Sequence, residues 1–202
     1  MKLYVLASLI VIALVVRHNT KRHEHLKNSD EQGFWERERQ ANSVRRQSLD
    51  NLNYITIPLG TLPTNIMQDK PEVAECVELL KTLSGQPIVN LTGYTNTDLK
   101  LEYGTSNITL LTEYDQNYTL LVRTLQLWAD ILCNAGFFSE ARVIMEFAVS
   151  TGTDISRTYY KLAEIYSARG DNFQIQQLIE RAQALRSSNK NIIVRTLQKA
   201  YP

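Results

Sequence analysis

Apolar residues open the chain as one run, Leu3 to Val16, in which Ser8 is the sole interruption. A membrane span usually takes about 17–25 residues, so this run is short. Met1 and a snorkelling Lys2 lengthen it, and nothing around Val15-Val16-Arg17-His18 resembles the small-residue cleavage site of a secretory signal. The pattern predicts an uncleaved transmembrane anchor over residues 1–16. Behind it the chain turns polar and charge-mixed over residues 17–51, as expected of a juxtamembrane stalk. The one aromatic interruption there is Gly33-Phe34-Trp35, and the following Glu36–Gln40 suits a short exposed helix.

Further along, the spacing of apolar positions changes with each element. Leu52 to Pro63 alternates around Tyr54 and Thr56, and Pro58 and Pro63 stop it becoming helix, so it reads as extended. Pro71 suits a first helical turn, and Val73, Ala74, Val77, Leu80 and Leu83 make one face of a helix closing at Gly85. Residues 88–115 read as a degenerate hairpin: apolar Ile88–Leu91, turn-rich Gly93–Thr97, then a short helix through Tyr103 that Thr97 is expected to cap and Gly104 to end. Leu110, Leu111, Tyr114, Tyr118, Leu121, Val122, Leu125, Trp128, Ala129 and Leu132 then keep steps of three and four, which predicts one long helix. Ile192, Ile193, Thr196, Leu197 and Ala200 predict a closing helix over 190–200.

Residues 122–155 and 156–189 repeat each other at a spacing of 34. Without gaps they share Arg123/Arg157, Thr124/Thr158, Ala129/Ala163, Ile131/Ile165, Gly136/Gly170, Glu146/Glu180 and Ala148/Ala182. The first copy carries Trp128-Ala129, Leu132, Gly136-Phe137-Phe138, Ala141 and Ala148; the second carries Leu162-Ala163, Tyr166, Gly170-Asp171 and Ala182. Period and pattern resemble the tetratricopeptide repeat, a helical hairpin. The resemblance implies an all-α fold in which small alanines let paired helices approach and the glycines end the first helix of each pair. Repeat arrays generally need about three units, so the flanks must supply caps. The expected domains are the anchor (1–16), the stalk (17–51), an extended segment with degenerate hairpins (52–118), and two repeats with a capping helix (119–202). A second likeness lies in Gly93–Gly104, Leu111–Asp115 and Ile55–Leu59, which resemble a group of single-pass, N-terminally anchored proteins of Gram-positive bacteria. That likeness bears on architecture and not on mechanism.

Charge then fixes the expected orientation. Arg17, Lys21, Arg22 and Lys27 follow the anchor, whereas only Lys2 and the α-amino group precede it, so the bulk of the chain is expected in the cytoplasm. A net charge of +1 gives no global reason to expect nucleic acid. Cys76 and Cys133 are isolated thiols that read as small core residues. His18, His23 and His25 stand near Glu24, but nothing fixes their geometry, and a basic stalk beside anionic lipid accounts for them. Asn90, Asn107 and Asn117 match the glycosylation acceptor pattern, which matters only in a secretory route, and Arg45-Arg46-Gln47-Ser48 reads as a loop with Ser48 a candidate cap. No Gly-rich phosphate loop, Ser/His/Asp set or Cys/His cluster is written into the folded part, so no enzyme, cofactor or metal site is expected.

A recognition surface is what remains. In tetratricopeptide arrays the first helices of successive pairs line a concave groove. By the family's register this implies Arg123, Gln126, Asp130 and Asn134 from the first repeat, and Arg157, Tyr160, Glu164 and Ala168 from the second, with Arg142 and Arg181 on the convex side. Arg123/Arg157 and Asp130/Glu164 are expected to form parallel basic and acidic ladders. Carboxylate-clamp members of the family carry Lys and Asn where this chain has Gln126 and Asp130, which argues against capture of a C-terminal carboxylate. The resulting expectation is a membrane-anchored adaptor or scaffold that binds a protein partner and touches lipid through residues 1–16. The alternatives are a purely structural assembly subunit, with the groove filled by the chain's own segment 52–63, and an accessory subunit of an envelope enzyme or transporter, whose partner performs the chemistry.

Overall fold

A computed structural model describes residues 32–202, and all regular secondary structure among them is helical. The helices are α1 (residues 32–43), α2 (Pro71–Ser84), α3 (Asn96–Tyr103), α4 (Ile108–Asn134), α5 (Phe138–Ser150), α6 (Ser156–Ala168), α7 (Asn172–Gln183) and α8 (Lys190–Ala200), with a 3-10 turn at Thr105–Asn107. The chain divides into two compact units. One joins residues up to Gln47 with Thr95–Ile108; the other joins Ser48–Tyr94 with Thr109–Pro202. The expected anchor at 1–16 and the three histidines lie outside the described residues. Among the described helices none is long and apolar enough to cross a membrane.

The 34-residue period recurs in the helix boundaries of the larger unit. α4 ends at Asn134 and α6 at Ala168, α5 starts at Phe138 and α7 at Asn172, and both pairs differ by 34 (168 − 134; 172 − 138). The hydrogen bonds between them repeat too. Phe137 N–H donates to the Leu132 carbonyl and Gly136 N–H to that of Cys133; one period later Asp171 donates to Tyr166 and Gly170 to Ser167. This is the paired closure of a Schellman turn, and it requires the positive φ that Gly136 (85°) and Gly170 (71°) supply. Ala129, Ala163, Ala148 and Ala182 are all buried, small enough to let the paired helices close.

Successive helices α5, α6, α7 and α8 pack on one another, and one apolar core runs from Ile57 to Leu197. Both flanks feed it. α8 closes the far end with Ile193 and Leu197, leaving Ile192 exposed. At the near end α2 contributes Val73, Cys76, Val77, Leu80 and Leu83, and Ile57 and Leu62 of the irregular segment join them. Pro71 begins α2 and Gly85 closes it. Tyr54 and Val89 form an isolated antiparallel bridge, with Ile55 N–H bonded to the Ile88 carbonyl, but the extended run expected through Pro63 breaks at Pro58, whose carbonyl accepts the N–H groups of Thr61 and Leu62 in a turn.

The smaller unit corrects one expectation. α3 is capped by Thr95, not Thr97: Thr95 and Asp98 exchange side-chain and backbone hydrogen bonds in a capping box, three residues apart as that motif demands. The Thr97 hydroxyl donates instead to Glu38 of α1, which also takes the Lys100 ammonium at 2.9 Å. Arg37 pairs with Asp98 at 2.5 Å. Hydrogen bonds from Thr97 and then Lys100 hold the Glu38 carboxyl below its usual range, so this clasp between α1 and α3 weakens as acid protonates it.

Three tyrosines give the larger unit its alkaline limit. Burial, first of all, pushes the phenols of Tyr118, Tyr159 and Tyr166 far above the ordinary value. An unfolded chain releases these protons near pH 10 while the folded one keeps them, so stability is full below about pH 10 and falls as pH rises beyond it. In an alkaline titration followed by tyrosinate absorbance, these three of the ten tyrosines should titrate only together with loss of helical signal. Three phenols ionising with helicity intact would show that they are not enclosed.

Candidate functional site

The exposed face of α4 carries the site. Along its second half Arg123, Leu127 and Asn134 are exposed and Asp130 and Ile131 half-buried, Ile131 resting against the core, and clefts open beside this face. The cleft toward α6, about 540 Å³, is lined by Asp130, Cys133 and Asn134 of α4, by Arg157, Lys161 and Glu164 of α6, and by the Phe137-Phe138 turn. Toward α2 lies the other, about 490 Å³, where Leu127 and Ile131 face Cys76, Leu79 and Met67, with Lys70, Glu72 and Glu75 at the edge. Asn134 borders both. One cleft is thus charged with an aromatic wall, and its neighbour is mainly apolar.

Within the charged cleft the groups already satisfy one another. Arg157 Nε donates to Asp130 Oδ1 at 2.9 Å across the two helices, and Lys161 Nζ to Glu164 Oε2 at 2.7 Å along α6. Hydrogen bonding to Glu164 holds the Lys161 ammonium above its usual pKa. Arg169 donates to the Ser139 hydroxyl at 2.7 Å. Phe137 stands where Asp171 caps the next pair: the Asp171 carboxylate accepts the Gln174 N–H, whereas the first turn of α5 has no side-chain cap. Burial, then the nearby Asp130, pushes the Cys133 thiol up, so it sits in the cleft wall as a neutral thiol.

Of the groove residues expected from the repeat register, Asp130, Asn134, Arg157, Glu164 and Ala168 do line one cleft. The others do not. Gln126 is turned into the seam, where its Oε1 accepts from the Thr158 hydroxyl at 2.5 Å; Tyr160 is half-buried against the core; Arg123 is exposed but borders neither cleft. The parallel ladders are replaced by a cross-rung. The arginine of the second repeat meets the aspartate of the first, and unlike charges attract where like ones were expected to align. Arg142 is also no idle convex residue: it pairs with Glu146 at 2.5 Å, and Tyr166 donates to the same carboxylate oxygen at 2.8 Å. Sequence reasoning missed the α2 side, because α2 has no counterpart one period from the repeats. It also missed Phe137 and Phe138, although their place beside Gly136 in the echo was a usable signal.

The glycosylation-type asparagines hold structure together. Asn90 Nδ2 donates to the Tyr118 hydroxyl at 2.9 Å and the Thr151 carbonyl at 3.0 Å, and Asn117 donates to the Pro87 carbonyl at 3.0 Å. Asn107 is fully buried, its amide given to the carbonyls of Gln47 and Tyr103 at 2.8 Å each. Among the described residues no group of His, Cys, Asp and Glu side chains could hold a metal ion. No protein-family model, curated protein or solved structure matches the chain.

Proposed function

We propose that this chain is a tetratricopeptide-like adaptor, anchored by residues 1–16 with its bulk in the cytoplasm, whose α2–α4–α6 face holds another protein at the membrane. The observation that carries the reading is the pair of adjoining clefts, one apolar and one charged, meeting at Asn134. A segment laid across them would seat an apolar side chain against Leu79, Leu127 and Ile131. Polar groups of the same segment would then meet Arg157, Lys161 and the uncapped turn of α5. The mechanism is binding. Desolvation by a partner raises the worth of the Arg157–Asp130 pair above the few tenths of a kcal/mol of an exposed pair, so charge there contributes to specificity.

The test places a photo-crosslinking residue at Leu127 or Asn134 of the full chain in intact membranes. A discrete adduct is expected from both, and none from the same group at Arg181 or Arg195, which are exposed elsewhere. Arg157→Glu is expected to lower the adduct yield about tenfold, equivalent to about 1.4 kcal/mol, with helicity and melting unchanged. Equal adducts from positions 127 and 195, or an unchanged yield with Arg157→Glu, would remove the groove from the interaction.

A further inference from the structure

The two tryptophans have opposite surroundings: Trp128 is fully buried, while Trp35 keeps 57% of its surface exposed beside Phe34 at 54%. Their rings meet edge to face, with centroids 5.5 Å apart. Residues 32–36, the first turn of α1, are all exposed, and the clasp onto α3 begins only at Arg37 and Glu38 and continues to the buried Ala41. The aromatic pair therefore overhangs the end of that contact, with exposed Arg39 and Arg45 on the same unit.

We propose that Phe34 and Trp35 seat the first turn of α1 in the headgroup interface of the bilayer that holds residues 1–16, an inference that rests on the anchor reading above. Two aromatic side chains little more than half exposed offer on the order of 200 Å² of surface. A stable protein contact needs about 800 Å² per partner, so a second copy is a poor occupant, whereas an amphipathic ring finds a complete environment at the headgroups. Residues 17–31 reach at most about 50 Å in any conformation, which keeps α1 close to that surface and converts its insertion into an intramolecular step. Arg39 and Arg45 supply the charge that anionic headgroups attract.

Trp35 reports on itself. The full chain is placed in phosphatidylcholine and phosphatidylglycerol vesicles, with Trp35→Phe as the blank that subtracts Trp128. Because interfacial seating reaches about 5–10 Å into the headgroup and acyl boundary, Trp35 emission should move to the blue and lose roughly half its intensity to lipids brominated near the headgroup, and less to lipids brominated at the chain ends. A chain that resists alkaline extraction while Trp35 stays red-shifted and open to acrylamide would overturn the seat and leave the anchor standing. Blue-shifted emission untouched by bromine would place protein over the ring, and also overturns it. Release of the chain by alkali would remove the anchor and this proposal together.

Discussion

Trp128→Ala should cost about 3–5 kcal/mol, the range for deleting a large aromatic from a packed core. Trp128 is fully buried on α4, in the one apolar core shared by α2, α5, α6, α7 and α8. It stands one residue before the small Ala129 of the repeat seam, so the cavity left behind is walled by helices that cannot collapse without losing their own contacts. Domains of ordinary stability hold only about 5–15 kcal/mol, and one such change removes a large share of it. Trp128→Phe should cost distinctly less, since the indole Nε1 has no hydrogen-bond partner and phenylalanine omits that buried donor. Chemical denaturation of the three proteins checks the order. If Trp128→Ala unfolds within 1 kcal/mol of the parent, with the denaturant slope unchanged, α4 is not the centre of the core.

That centre was legible because the repeat is written in residue types: Trp128-Ala129 against Leu162-Ala163, and Gly136 against Gly170, each carry a packing or φ requirement that few other residues meet. The ends of the helices could be read for the same reason. What lay beyond the sequence was the pairing of side chains between elements. Asp130 meets Arg157 across two helices, and no spacing within either helix states that contact. The α2 cleft was hidden similarly: one period before Val122 lies Ile88, in a non-helical segment, so the helix that supplies the third row sits outside the echo. Thr95 and Thr97 are both acceptable caps, and only the position of Glu38, contributed by a segment read as stalk, assigns Thr97 its other partner. The candidate site was therefore half visible, in the residues whose exposure follows from one helix alone.

Gly104→Ala is expected to be the most damaging small substitution in the unit formed by α1 and α3, costing on the order of 3 kcal/mol or more there. Gly104 has φ 84° and ψ 150°, a region essentially reserved for glycine. A Cβ at this position would also stand 2.6 Å from the Arg45 carbonyl oxygen and 2.8 Å from its carbon, backbone atoms that cannot swing aside as a side chain can. What must give is the strand of chain at 45–47. It is held by the Gln47 N–H to the Tyr103 carbonyl at 3.0 Å and by Arg46 Nε to Asn107 Oδ1 at 3.0 Å, and its loss would loosen α1 from α3. Gly85→Ala is the matched control: its φ of −92° is ordinary, and its nearest atom to a new Cβ is 3.7 Å away. That change should be neutral or stabilise by about 0.4–1 kcal/mol, through a less disordered unfolded chain. Amide exchange read at Gln47 separates the two, with Gly104→Ala speeding it by about a hundredfold if about 3 kcal/mol of local opening energy is lost. Exchange at Gln47 as slow as in the parent would mean that the 45–47 segment is not seated on Gly104, and that α1 is held to α3 by the contacts of Arg37 and Glu38.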